Sequence, residues 1–491
     1  MNQQRLMWAT FSAVSIACAF VAYSFFPKAF PIVSVDISMT RELAIEQARG
    51  LSQEHGWGQA RSQRDAASFG TNIRVKTFVE LDAGGVEGFA RLLKDPIFSP
   101  YTWQVRLFSE GVINETTVHF RPNGRPYGFE ERIAEDEELP NVDPDTAQRA
   151  VEAAANAIWN IDLAGLELME SGQDEKPNGR IDHRFVYESS RADLGDGRLQ
   201  VRTRVTGNRV STVMPSVRVP ESFTRRHQEM RSANNSISTL GQVGMFLLLI
   251  ISGIAFYQLS RRGQLIWRPA VAAAGVIALI QIAASLNTLP LAWFNYVTSN
   301  SSSNFLIQNA LSSILNSLSF GLILTLSFIA AEGLSRLAFP HHPQFWKLWS
   351  REAAPTNSVA TRTGMGYLLV PINLVFVISF YFIAQNLGDW WNPSDTLVSP
   401  DSLAHFAPWL TPFALSLQAG FWEECLFRAV PIASAALLGQ RYGHRGLFIA
   451  MAFVAQILIF GAGHANYPAQ PAYARVVELV VPSIIFGLLY L

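Results

Sequence analysis

The stretch LAHFAPWLTPFALSLQAGFWEECLFRAVPIASAALL, residues 403–438, holds two acids and one base, Glu423, Glu424 and Arg428, in a run otherwise free of formal charge. An apolar run of about 20 residues crosses a bilayer as a helix. A charged residue at the middle of such a helix costs about 2.5 to 3.5 kcal/mol on insertion scales, so three in one run need a reason. The stretch reads as a membrane helix with a polar purpose.

Seven more apolar segments surround it, at 6–26, 240–259, 269–290, 305–331, 365–386, 447–463 and 476–491. The expectation is a membrane all-α fold, a polytopic helical bundle of about eight spans, preceded by an extracytoplasmic α+β domain. Charge divides the chain in the same way. The first 236 residues hold 58 charged side chains, about 25%, and the last 255 hold 19, about 7%, too few to cover a water-facing surface. This excludes a wholly soluble enzyme, a disordered scaffold and a collagen-like fibre. A net charge of −1 gives no basic footprint for nucleic acid, so no nucleic-acid partner is expected. Cys18 and Cys425 both lie in apolar runs and leave the polar half without a disulfide framework. In the first segment Ala17 and Ala19 supply small residues for a signal peptidase only in mid-run, so residues 1–33 read as an uncleaved anchor.

Orientation follows from the short loops. Arg261, Arg262 and Arg268, then Arg336, Lys347, Arg351 and Arg362, then Arg441 and Arg445 fall on alternate loops, whereas 291–304 and 387–402 carry no Lys or Arg and include Asp389, Asp395 and Asp401. The positive-inside rule puts the basic loops in the cytoplasm of a cell-membrane protein and residues 34–236 outside. Trp390 and Trp391 on one side, with Trp346 and Trp349 on the other, occupy aromatic-belt positions. Segments two to four with their cytoplasmic linker then occupy 237–364, and the last block is 365–491.

Within 34–236 the pattern helix, strands, turn, strand is expected twice. In the second copy Asp143-Pro144 opens a helix with Val151, Ala154, Ala155 and Ile158 on its buried face, and strands follow at 183–189, 199–205 and, after a Gly207-Asn208 turn, 209–217. The first copy has a helix at 39–55, strands at 73–81 and 101–108, and a pair turning at Asn123-Gly124. This order resembles the PepSY modules that accompany secreted and membrane peptidases, and the resemblance implies a packing or ligand-binding role.

On a helix Glu424 and Arg428 stand four apart with the acid first, the better order for an ion pair. Glu423 points about 100° away and has no charge partner on its own helix, the situation of a general base rather than of a structural pair. The next segment ends in Phe460-Gly461-Ala462-Gly463-His464, whose small residues admit a close neighbour. Glu423 lies 16 residues before Gly439 and His464 lies 18 after Gly446, so in an antiparallel hairpin both fall roughly 24 to 27 Å from the turn. A Glu and a His at one depth polarise a water, unaided or with a divalent metal such as zinc held by Glu423 and His464, and the product is hydrolysis of a carbonyl compound.

Glu423-Glu424-x-x-x-Arg428 followed by Phe460-x-x-x-His464 resembles the first two motifs of the CAAX protease and bacteriocin-processing family, also called Abi, over roughly 365–491. The resemblance implies an intramembrane glutamyl or metallo-endopeptidase similar to CAAX prenyl protease 2. Its substrate would be a peptide or protein, lipidated or membrane-embedded. Glu423 would then activate water, His464 would hold the water or oxyanion, and Glu424, Arg428 and Phe460 would support them. The family's third motif, a His followed four residues later by Asn or Asp, belongs on a later helix. The 16-residue last segment therefore sets the expectation that the natural chain continues past Leu491.

A second class uses the same residues only for packing: a non-catalytic membrane sensor or immunity scaffold with a peptide-binding outer domain. A transporter is disfavoured because no repeated halves are visible. Glu332 with Arg336 and Arg475 with Glu478 read as structural pairs. His341, His342, His405 and His444 lack carboxylate spacing for metal ligation. Asp182 and His183, neighbours on a strand, face opposite sides, and Cys425 reads as packing.

Overall fold

The computed structural model describes residues 3–58, 64–189, 194–348, 350–394 and 399–491. Helix α1 (Gln3–Ala29) leads into a domain built on one antiparallel sheet. Two half-domains make it. The first runs α2 (Arg41–His55), β1 (Arg64–Thr71), α3 (Ile73–Asp82), α4 (Gly85–Leu92), β2 (Tyr101–Phe108), β3 (Glu115–Phe120) and β4 (Pro126–Arg132). The second runs α5 (Pro144–Trp159), β5 (Glu167–Glu175), β6 (Ile181–Ser189), β7 (Arg198–Thr206) and β8 (Arg209–Arg218). The strand order β1-β2-β3-β4-β8-β7-β6-β5 places the halves back to back, joined through Phe129↔Val213 and Glu130↔Thr212.

Both covering helices start and stop on local signals. Thr40 and Asp143 accept the N–H groups of Leu43 and Thr146, and Gly56 and Asn160 close the helices in left-handed conformations. Each buries a ladder of mostly small residues, Ala44, Ala48 and Ser52 in α2 and Ala147, Val151, Ala155 and Trp159 in α5, which lets the helix lie close on the sheet. Ala154 and Ile158, expected on that face, flank it. Trp57, Phe129 and Trp159 stack with centroids 4.2 and 5.5 Å apart and tie the halves together.

The expected strand at 73–81 is corrected to helix α3. Ile73, Val75, Thr77 and Val79 alternate like a strand, but Asn72 caps Val75 and the apolar set 75, 78 and 79 fits a helix face. Strand β1, with the sequence Arg-Asp-Ala-Ala-Ser-Phe-Gly-Thr, has little strand propensity and is held by its pairing with β2.

The second region is helical: α6 (Glu221–Arg261), α7 (Trp267–Asn287), α8 (Leu289–Phe294), α9 (Ser302–Ala338), α10 (Asn357–Gly388), α11 (Leu410–Glu423), a π turn over Glu424–Ala429, α12 (Val430–Arg441), α13 (Arg445–Gly463) and α14 (Ala474–Tyr490). Among the described residues six helices, α1, α6, α7, α9, α10 and α13, are long and apolar enough to cross a membrane. The other two expected spans differ in form. One is the rod α11–π–α12, broken into three pieces, and the other is α14, with 17 residues.

The sheet domain sits on the loops that lack basic clusters. Arg106 donates to the carbonyls of Phe294 and Tyr296 at 2.9 and 2.6 Å, and Ser68 donates to Asp401 at 3.0 Å. Trp391 departs from its expected place in an aromatic belt. It is buried at 6% exposure and donates its indole N–H to Glu80 at 2.9 Å, because the sheet domain offers an acceptor there. Trp349 and Asp395 lie outside the described residues.

Candidate active site

The π turn at Glu424–Ala429 is where segment six departs from an ordinary helix. Pro431 has no N–H to offer the Phe427 carbonyl and its ring crowds that carbonyl, so the ladder widens ahead of it. Such turns are rare and concentrate at functional sites. Here it separates the two acids. Glu423, on the last turn of α11, faces α13, while Glu424 is 46% exposed and opens on a cavity of about 670 Å³ lined also by Glu332, His341, His342 and Arg362.

His464 caps the C-terminus of α13. Its Nδ1 lies 2.8 Å from the Phe460 carbonyl, which only accepts, so Nδ1 carries the proton and Nε2 presents a lone pair. That lone pair faces Glu423, with Nε2 3.8 Å from Oε1. The spacing is longer than a hydrogen bond and suits one water bonded to both. The expected meeting at equal depth is present.

Phe460 organises the surroundings. Its carbonyl sets the His464 tautomer, its ring lies 4.5 Å from the imidazole, and the Arg428 guanidinium lies 4.1 Å from its centroid. Arg428 is 1% exposed. Its Nη1 is 3.6 Å from Glu424, and Nε and Nη1 have no hydrogen-bond partner among the described residues. The expected Glu424–Arg428 neutralisation is thus a loose contact.

The small residues before His464 are used as close contacts. A Cβ on Gly241 of α6 would stand 2.1 Å from Gly463 N, and one on Gly461 would stand 3.1 Å from Val476 of α14. The last turn of α13 is held between two helix backbones.

Arg475, expected only as the structural partner of Glu478, also belongs to this site. Its pair with Glu478 is present at 2.5 Å, and the Glu332–Arg336 pair at 2.8 Å. Arg475 also stacks on Tyr467 at 4.9 Å, and its charge reaches both Glu423 and His464. A signal existed in the sequence: it is a basic residue on the side whose other short loops carry none. Away from this site, Asp182 pairs with Arg180 and His183 bonds the Val142 carbonyl, so those neighbours form no dyad.

Glu423 and His464 supply two metal donors where a catalytic zinc ordinarily takes three protein ligands, and among the described residues no three His, Cys, Asp or Glu side chains are placed to hold one metal ion. This donor set alone does not fit a zinc site.

Fold and site together define a multi-pass membrane protein with a Glu–His pair inside its helical region. Residues 405–491, which contain both motifs, match the family model described as Rce1-like, type II CAAX prenyl endopeptidase. The C-terminal part is therefore similar to the CAAX proteases, as the motifs implied. Comparison with curated proteins and with solved structures returned no match.

Proposed function

We propose that the chain is an intramembrane endopeptidase in which Glu423 is the general base and His464 holds the attacking water. A water between them donates one hydrogen to Glu423 Oε1 and the other to His464 Nε2, leaving an oxygen lone pair free. Glu423 takes its proton as the oxygen attacks the scissile carbonyl, and it returns that proton to the departing amine as the C–N bond breaks. Arg475 and Arg428 bias the site toward negative charge, which favours the tetrahedral oxyanion. The substrate class is a peptide or protein with a membrane-seated, lipidated end. Residues 34–236 form the extracytoplasmic domain.

The observation that carries the reading is Nε2 of His464, locked as an acceptor, 3.8 Å from Glu423. The test is Glu423→Gln in lipid nanodiscs, with a fluorophore–quencher peptide ending in a farnesylated cysteine and three residues. The expected result is loss of kcat by roughly 10² to 10⁴, the usual worth of a general base, with an unchanged melting curve. Full retained cleavage would remove Glu423 as the base, and a wild-type chain that cleaves nothing would leave the non-catalytic scaffold.

A further inference from the structure

His464 opens the loop 464–473, and side chains from outside the loop hold its backbone. On α6, Arg231 donates to the Asn466 carbonyl at 2.5 Å, and Asn234 donates to the Ala469 and Ala472 carbonyls at 3.2 and 3.3 Å. Gln470 donates its amide to Asn234 Oδ1 at 2.7 Å. Gln470 and Trp391 exchange two backbone hydrogen bonds, 2.8 and 2.9 Å, a one-residue bridge between two loops.

The far end of this bridge lies in the sheet domain. Glu80, near the C-terminus of α3 and 5% exposed, accepts the Trp391 indole N–H at 2.9 Å, the Ser394 backbone N–H at 3.4 Å and the Ser394 hydroxyl. A buried carboxylate that takes three donors from one loop resists movement of that loop, because the movement removes those three bonds from a desolvated charge. Glu80, Trp391, Gln470 and the loop that begins at His464 form one continuous set of contacts. We infer that Glu80 is a positioning residue for the intramembrane site, holding His464 in register with Glu423 through Trp391 and Gln470.

The inference rests on the hydrolase reading and extends it by making the sheet domain part of the site's alignment. Near-attack geometry is steep, and a displacement of about 1 Å can cost on the order of 10²-fold in rate. The effect belongs in kcat, since these residues act on the site through the backbone of the 464–473 loop.

The test uses the full chain in nanodiscs with Glu80→Ala, Glu80→Gln and Trp391→Phe, the last removing a single N–H from outside the sheet domain. Amide exchange over 466–472 and kinetics on the farnesylated peptide are read together. The expected result for Glu80→Ala and Trp391→Phe is about tenfold faster exchange in that loop and a kcat at least about tenfold lower, with KM within twofold. Glu80→Gln, which keeps one carbonyl acceptor, should recover part of both. Unchanged loop exchange, or faster exchange with unchanged kcat, overturns the inference while leaving the hydrolase reading intact. A wild-type chain that cleaves nothing overturns both.

Discussion

Two buried arginines, one in each region, are treated differently. Arg180 in the sheet domain is 3% exposed. It donates from Nε to Asp182 at 3.0 Å and from Nη1 to the carbonyls of Ala134 and Glu137 at 2.9 and 2.6 Å. Asp182 in turn accepts the Gly207 N–H at 3.3 Å. Arg428 in the membrane region is still more buried, yet its nearest carboxylate is 3.6 Å away, and Nε and Nη1 are unpartnered among the described residues. A buried polar group with its bonds made is architecture. One held short of its bonds costs stability without returning it, and in a membrane region that marks a candidate functional site.

The comparison can be broken by mutation. The largest expected effect is Asp182→Ala, which strands Arg180 and should destabilise the sheet domain by about 3 to 5 kcal/mol, read as a fall in its melting temperature. A loss below about 1 kcal/mol would mean that the tight pair is worth no more than the loose one. The next concerns pH. Desolvation pushes His119 down to about 4 from its usual 6.5. Between those pH values the unfolded chain binds the proton that the folded chain refuses, so stability falls as pH drops through that window. His119→Gln should flatten the slope in melts taken from pH 7 to 4. Glu424→Gln should then shift the melting free energy by less than about 1 kcal/mol, since its carboxylate is half-exposed and only loosely paired. The smallest effect is expected at Arg184 and Arg204, which face each other across β6 and β7 with like charge. Arg184→Thr should stabilise the sheet by roughly 0.2 to 1 kcal/mol.

What could be read beforehand follows the range of the interactions involved. The α5 cap, the Asn123-Gly124 and Gly207-Asn208 turns and the Arg475–Glu478 and Glu332–Arg336 pairs are set by residues within a few positions of one another, and all are present. The meeting of Glu423 and His464 was legible because an antiparallel hairpin converts sequence distance into depth. Longer-range effects were not. Helix α3 resembled a strand until its cap was weighed, and β1 is a strand only because β2 lies beside it. Trp391 seemed suited to lipid because its acceptor, Glu80, comes from another part of the chain. The π turn depends on how Pro431 deflects a carbonyl four residues earlier, which apolar periodicity does not register.

The crossing at Gly241 and Gly463 has a further consequence. With no room for even a methyl group between α6 and α13, the separation of these helices is set by main-chain atoms, which have no rotamers to exchange. Side chains elsewhere in the membrane can repack around a passing molecule while this junction keeps its spacing. The imidazole that follows it is mounted on the stiffest kind of joint a helical protein can build.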